Sequence, residues 1–327
     1  MKHADSQNGL TYAWPWTAAF VRQLHQLRAT PFGGSHLLFG SDYSGDHHAS
    51  RFRVYGFVIA DAHASPEWPA KCRQVRQDCL KDGRRMSFKS LNDGHRRRAL
   101  VPFLEAAEYL NGHVVAVAVT KDLARLSTTP NTLDFCQRES WLRARWNAKS
   151  FEQMARVAHF FSLFLAAWSR PGMDVSWVTD SDEIVANDGR LDDAHQLAAR
   201  LSGLYVPHPL GEFMMNTVAV DTEDLAFEDF VAIPDLAAGM LAEILLGAQL
   251  ERSPGSGQVL KPKELSHKSD IIADWFWYRD GSLKKTCILI DHVDEQTFSV
   301  GEIHMLQETA PSNPALKPPG ATPAAER

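Results

Sequence analysis

Residues 36–41 read HLLFGS, a short apolar run without the alternation of a half-buried strand. It reads as a strand buried on both faces, which places it inside a sheet that is covered on either side. RFRVYGFVIA at 51–60 gives a second strand, and the turn DYSGDHHAS between the two makes a hairpin plausible. HVVAVAV at 113–119, rich in β-branched residues, and VSWVT at 175–179 read as further strands. A hairpin followed by strand–helix–strand–helix–strand predicts an α/β fold with a mixed sheet flanked by helices.

The connecting segments carry helical signals. A short helix is expected around Trp16 to Leu27, and a weak one over Pro66 to Lys81. Met86 to Leu91 reads as a short extended piece. Asn92 or Asp93 is placed to cap a helix whose apolar residues Leu100, Phe103, Leu104, Ala107 and Leu110 share helical spacing. Ser150-Phe-Glu-Gln153 resembles a capping box that opens a helix to Trp168. Leu191 to Leu201 is helical, and Pro234 suits the first turn of a helix running to about Leu250. A short aromatic helix over Asp270 to Tyr278 and a hairpin of Thr286–Ile290 with Thr297–His304 complete the reading. The expected organisation is an N-terminal arm (1–34), one main domain with C-terminal helix and hairpin additions (35–306), and a Pro/Ala-rich disordered tail (307–327). Residues 252–263 form a second Pro/Gly/Ser-rich soft spot.

Compartment signals are plain. The four cysteines include no C-x-x-C pair or zinc spacing, so they read as reduced thiols. The N-terminus shows no apolar signal segment, and the most apolar run, Val157 to Trp168, is too short to span a bilayer. A cytoplasmic protein without a membrane partner is expected. The net charge of −6, from 40 acidic and 34 basic side chains, excludes a DNA-coating protein. It leaves room for a local basic approach, because Arg84-Arg85, Arg96-Arg97-Arg98 and the stretch from Arg138 to Lys149 concentrate positive charge.

Three acids stand where apolar elements end. Asp42 follows the first strand, Asp180 follows VSWVT with Asp182 and Glu183 just beyond, and Asp235 sits beside Pro234. Ligand sites in open α/β sheets form beyond the carboxyl ends of the parallel strands. If the first strand and VSWVT are parallel, Asp42 and Asp180 converge on one edge, and a helix crossing that edge adds Asp235. Clustered carboxylates repel one another, and a hard divalent cation such as Mg²⁺ or Mn²⁺ relieves that repulsion. Metal-assisted phosphodiester hydrolysis uses such a cluster. Taken singly, each aspartate is also an ordinary turn, cap or first-turn residue.

The order FGSDYSGD, MSFKSL, WVTDSDEI and IPDLAAGMLAEI resembles the bacterial family known as domain of unknown function 3800. That family's signature is a strand ending in D-E-S-G, a lysine in an extended piece, a strand ending in Asp, and a helix opening A-D-L-I-A-G. The resemblance covers roughly residues 36–250 and implies an RNase H-like fold. The implied site is Asp42, Lys89, Asp180 and Asp235, with Asp182 as an alternative metal ligand. Tyr43 stands where the family has Glu, and Pro234 replaces the Ala before the helix aspartate. Asp122, after HVVAVAV, is a candidate replacement acid.

Lys89 is suited to hold a phosphate or stabilise developing charge, or it is a solvated lysine. Arg96, Arg97 and Arg98 occupy a first helical turn, where the dipole disfavours cations; a nucleic-acid backbone would compensate, or the face is merely solvated. His47 and His48 lie in the hairpin turn and are either proton-transfer partners or exposed. Trp275 to Tyr278 either stack on bases or fill core. G-x-G-x-x-G, Walker, H-E-x-x-H and G-x-S-x-G motifs are absent. The expectation is a metal-dependent nuclease acting on DNA or RNA, in defence or mobile-element biology, with either a protein partner or a homo-oligomer. The competing readings are a catalytically inactive RNase H-like scaffold in a nucleoprotein assembly and a phosphatase acting on small nucleotides.

Overall fold

A computed structural model describes residues 14–27, 31–45, 48–138, 140–221, 224–247, 257–260, 262, 264–292 and 298–306. Its elements in chain order are α1 (Pro15–Gln26), β1 (His36–Ser44), β2 (Phe52–Asp61), α2 (Trp68–Cys79), α3 (Gly94–Ala107), β3 (Gly112–Thr120), α4 (Thr132–Arg138) and α5 (Ala148–Trp168). There follow β4 (Asp174–Thr179), α6 (Asp188–Tyr205), β5 (Phe213–Thr217), α7 (Ala226–Gly247), β6 (Gly257–Leu260), α8 (His267–Tyr278), β7 (Lys284–His292) and β8 (Phe298–Leu306).

The strands form one mixed sheet in the order β5-β4-β1-β2-β3-β7-β8-β6. The β1–β2–β3 meander is antiparallel, and β4 pairs parallel to β1 with β5 parallel to β4. β7 pairs parallel to β3, and the expected C-terminal hairpin is β7–β8. The architecture is therefore the expected α/β one, a mixed sheet flanked by helices.

Alternate residues of the central strands feed two separate cores, because successive side chains of a strand point to opposite faces. Val54, Val58, Val114, Ala116 and Ala118 pack under α2, α3, α7 and α8. Tyr55, Phe57, Val115, Val117 and Val119 pack under α1, α5 and α6. α1 is part of this second layer, with Trp16, Phe20 and Leu24 buried. α7 is the one helix among the described residues that is long and apolar enough to cross a membrane. Its apolar residues are instead buried against the sheet, including Phe230, Leu236, Ala237 and Met240.

Several elements differ from the expectation. β1 runs to Ser44, so Asp42 lies inside the strand, because its antiparallel pairing with β2 continues to Ser44↔Val54. α7 starts at Ala226, and Pro234 lies within it. Residues 226–233 continue the apolar helix, and Asp221 accepts from the Glu228 amide near its start. Pro234 removes a single intrahelical bond in a helix held by burial. α5 is capped by Asn147, whose side chain accepts from the Ser150 amide at 2.8 Å. The Ser150 hydroxyl instead reaches Glu183, and Gln153 accepts from Tyr55 at 2.5 Å. Residues 86–91 are not extended: a loop leads into a 3-10 turn at Phe88–Ser90. α4, β5 and β6 carried no clear sequence signal; they are short, and β6 falls inside the expected soft spot. The expected disordered tail, and His47, lie outside the described residues.

Candidate functional site

The site is built by register. β1 and β4 are parallel with Ser41 opposite Thr179, so Asp42 and Asp180 are the next residues along two neighbouring strands. On the other side of β1, Asp42 pairs with Gly56. A Cβ at Gly56 would lie 2.3 Å from the Pro234 carbonyl oxygen, so only glycine lets α7 rest on the sheet there. One turn earlier Phe230 sits on Gly40, where an added Cβ would meet its ring at 2.9 Å. These two glycines seat α7 and bring Asp235, the residue after Pro234, to the face that carries Asp42.

The loop bearing Lys89 docks on the same helix. Asp235 and Gly239 are four apart and share one helical face. The Phe88 amide donates to Asp235 at 2.6 Å, and the Phe88 ring fills the notch at Gly239, where a Cβ would lie 2.2 Å away. The Ser87 hydroxyl also favours the charged form of Asp235. Lys268 closes the loop from outside, donating to the Phe88 carbonyl at 3.0 Å with its ammonium 4.0 Å from the ring centroid. Lys89 is exposed at this point and acts electrostatically on Asp235.

Three aspartate charges act on Asp42. Burial, and then the charge of Asp235, push the Asp42 carboxyl well above the usual range; Asp180 and Asp182 add to this, and the Tyr43 amide opposes it. Burial also raises Asp235, against hydrogen bonds from Phe88 and Ser87 and the charge of Lys89. Burial raises Asp182 to about 6, although its side chain accepts from the Ile184 amide at 2.8 Å and caps the turn at 183–185. Raised carboxyls of this kind mark a place where negative charge is in excess.

Arg85 partly offsets that excess, and its role was not evident in the sequence. Its guanidinium pairs with Asp180 at 2.8 Å and Glu228 at 3.1 Å, and it also feels Asp42. The neighbouring Arg84 turns away, bonding Asp82 at 2.7 Å and Asp93 at 2.8 Å. Arginine pairing in a loop beside acids has no periodicity, so the dipeptide read only as a basic cluster. Arg96 braces the same loop, donating to the Arg85 carbonyl at 2.6 Å. The α3 cap is Asp93, which accepts from the His95 and Arg96 amides and supplies the negative charge that this arginine-rich turn needs. Arg97 and Arg98 are exposed.

Other candidates fall outside this edge. Tyr43 points to the opposite face, against Tyr55 and Phe57, with its hydroxyl 2.9 Å from Ser41. Asp122 is exposed in the turn after β3 and does not figure in the coupling of Asp42. His48 lines a cavity on the α5 side. Trp275 and Phe276 are buried core.

The donor chemistry suits a hard divalent cation: three half-buried carboxyls with raised proton affinity, plus Asp180. Among the described residues, however, no three His, Cys, Asp or Glu side chains are grouped so as to hold a metal ion as they stand. Asp180 is engaged by Arg85, Asp235 by Phe88 and Asp182 by Ile184.

No family model matches the chain, and no curated protein matches it. The resemblance to domain of unknown function 3800 therefore rests on the quoted motifs alone. Among solved structures, the chain is similar to ribonuclease H2 from Pyrococcus horikoshii OT3, with 14% identity over 60% of this chain and 70% of that one, at a TM-score of 0.29. It is also similar to a chain of the PCNA:RNase HII complex from Archaeoglobus fulgidus, with 11% identity over 76% of this chain and 93% of that one, at a TM-score of 0.30. Likeness at this level transfers no residue role to this chain.

Proposed function

We propose that the protein is a metal-dependent nuclease of RNase H-like fold that hydrolyses phosphodiester bonds at the β1–β4–α7 edge. What supports this reading is the β1–β4 register that sets Asp42 beside Asp180, together with the charges of Asp235, Asp180 and Asp182 that act on Asp42. Asp42 and Asp235 would hold Mg²⁺ or Mn²⁺, with Asp180 or Asp182 completing the set. When bound, the cation would supply charge neutralisation at the reacting phosphate. Lys89 would contact that phosphate, and Arg96, Arg97 and Arg98 would guide the DNA or RNA strand.

Asp42→Asn removes a charge and keeps the side-chain shape. In an assay of Mn²⁺-dependent cleavage of labelled single- and double-stranded DNA and RNA, this variant is expected to lose about 100-fold or more in rate. Its melting temperature should stay at or above that of the wild type. Full activity in the variant at matched purity rejects the reading.

Arg85 motivates a second reading, a catalytically inactive binding or scaffold protein of the same fold. It already provides a cation for Asp180 and Glu228. In that case Mn²⁺ does not bind the wild type, and nucleic-acid binding does not depend on divalent ions.

A further inference from the structure

On the sheet face opposite Asp42 and Asp235 lies a cavity of about 430 Å³, between the loop that follows β3 and the first turns of α5. Among the described residues its walls carry Arg53, Lys121, Arg125, Lys149 and Arg156, with Glu152 as the one carboxylate. In a chain of net charge −6 this is a local reversal of sign.

Glu152 does not neutralise the pocket. One of its oxygens accepts from the Leu126 amide at 2.8 Å, the Ser127 amide at 3.0 Å and Arg156 at 2.6 Å; the other accepts from the Thr128 hydroxyl at 2.6 Å. It folds the 123–128 loop around itself, and Arg156 also donates to the Leu123 carbonyl. The buried carboxylate thus builds the wall and holds Arg156, while Arg125 and Lys149 stand exposed with no carboxylate partner among the described residues. Ala148 and Lys149, the first two residues of α5, line the cavity, so the positive end of a 21-residue helix adds to the same field. Leu123 and Leu133 supply an apolar wall. A bare inorganic anion would leave most of this space unfilled, whereas small-ligand pockets start at about 300 Å³.

We propose that this pocket binds a nucleotide unit, with its phosphates on the Arg125 and Lys149 side and its base against Leu123 and Leu133. The unit comes from one of two sources: a free nucleotide, or the phosphorylated end of a strand. Neither requires the aspartate edge to be catalytic.

Calorimetry on the full chain tests this with adenosine, AMP, ATP, and a short oligonucleotide carrying either a 5′-phosphate or a 5′-hydroxyl. The proteins are the wild type, Arg125→Ala/Lys149→Ala, and Asp42→Asn. Both substituted cations are exposed, so the fold should survive, and a melting curve checks this. Affinity should rise from adenosine to AMP to ATP, and the double variant should lose about tenfold or more of it. Asp42→Asn should bind as the wild type does, which separates this pocket from the nuclease reading. Tighter binding of the 5′-phosphorylated oligonucleotide than of ATP identifies a strand end as the source; the reverse identifies a free nucleotide. Equal affinity for adenosine and its phosphates, no binding by any probe, or an unaffected double variant overturns the proposal.

Discussion

Asp182 and Asp229 show at single-residue scale how this fold tolerates unfavourable charge. Both carboxyls are raised to about 6 by burial, Asp229 in spite of a two-pronged bond to Arg76 at 2.7 Å per contact. A folded-state value above the unfolded one means that the native state binds the extra proton. Stability is therefore lost as pH rises from about 4 to about 6. Asp182→Asn mimics the protonated acid and keeps the acceptor for Ile184. It should be more stable than the wild type by about 1–2 kcal/mol at pH 7, with the gap closing by pH 4. Denaturant unfolding of both proteins across that range checks it, and a gap that stays constant with pH contradicts the assignment. Arg76→Ala leaves Asp229 buried without its partner and should cost about 3–5 kcal/mol. The same titration at pH 7 measures that loss.

At the scale of elements, α7 and its two glycine seats organise the aspartate edge. Gly56→Ala forces a methyl against the Pro234 carbonyl and should destabilise the protein by about 1–3 kcal/mol. Gly239→Ala pushes Phe88 out of its notch and is expected to lower activity through Lys89 with a smaller loss of stability. Melting curves beside the cleavage assay distinguish the two. Most of this level was legible in the sequence. The apolar runs at 36–41, 113–119 and 175–179 all fall in sheet strands, and the conditional that Asp42 and Asp180 meet if their strands are parallel is met by the observed register. Two boundaries differ from expectation because two local signals compete there. Pro234 reads as a helix start, but burial of residues 226–233 extends the helix past it. Ser150 reads as a cap, but Asn147 lies three residues earlier and takes the role. Arg85, the seat at Gly56 and the Phe88 notch at Gly239 were not legible, since each depends on contacts between segments about 95 to 180 residues apart in sequence.

At the scale of the whole molecule, two charged regions lie on opposite faces of the sheet. Asp42 and Asp235 meet on the α7 side of one edge, and cations line the cavity on the α5 side. The central claim is that the aspartate edge is one divalent-ion site, to which Asp42, Asp235 and either Asp180 or Asp182 contribute. Anomalous diffraction from crystals soaked in Mn²⁺ tests this most directly. The expected result is an Mn²⁺ peak with oxygens of Asp42 and Asp235 at about 2.0–2.6 Å and Arg85 swung away from Asp180. The same map without a peak at this edge, and with Arg85 still paired to Asp180 at saturating Mn²⁺, contradicts it.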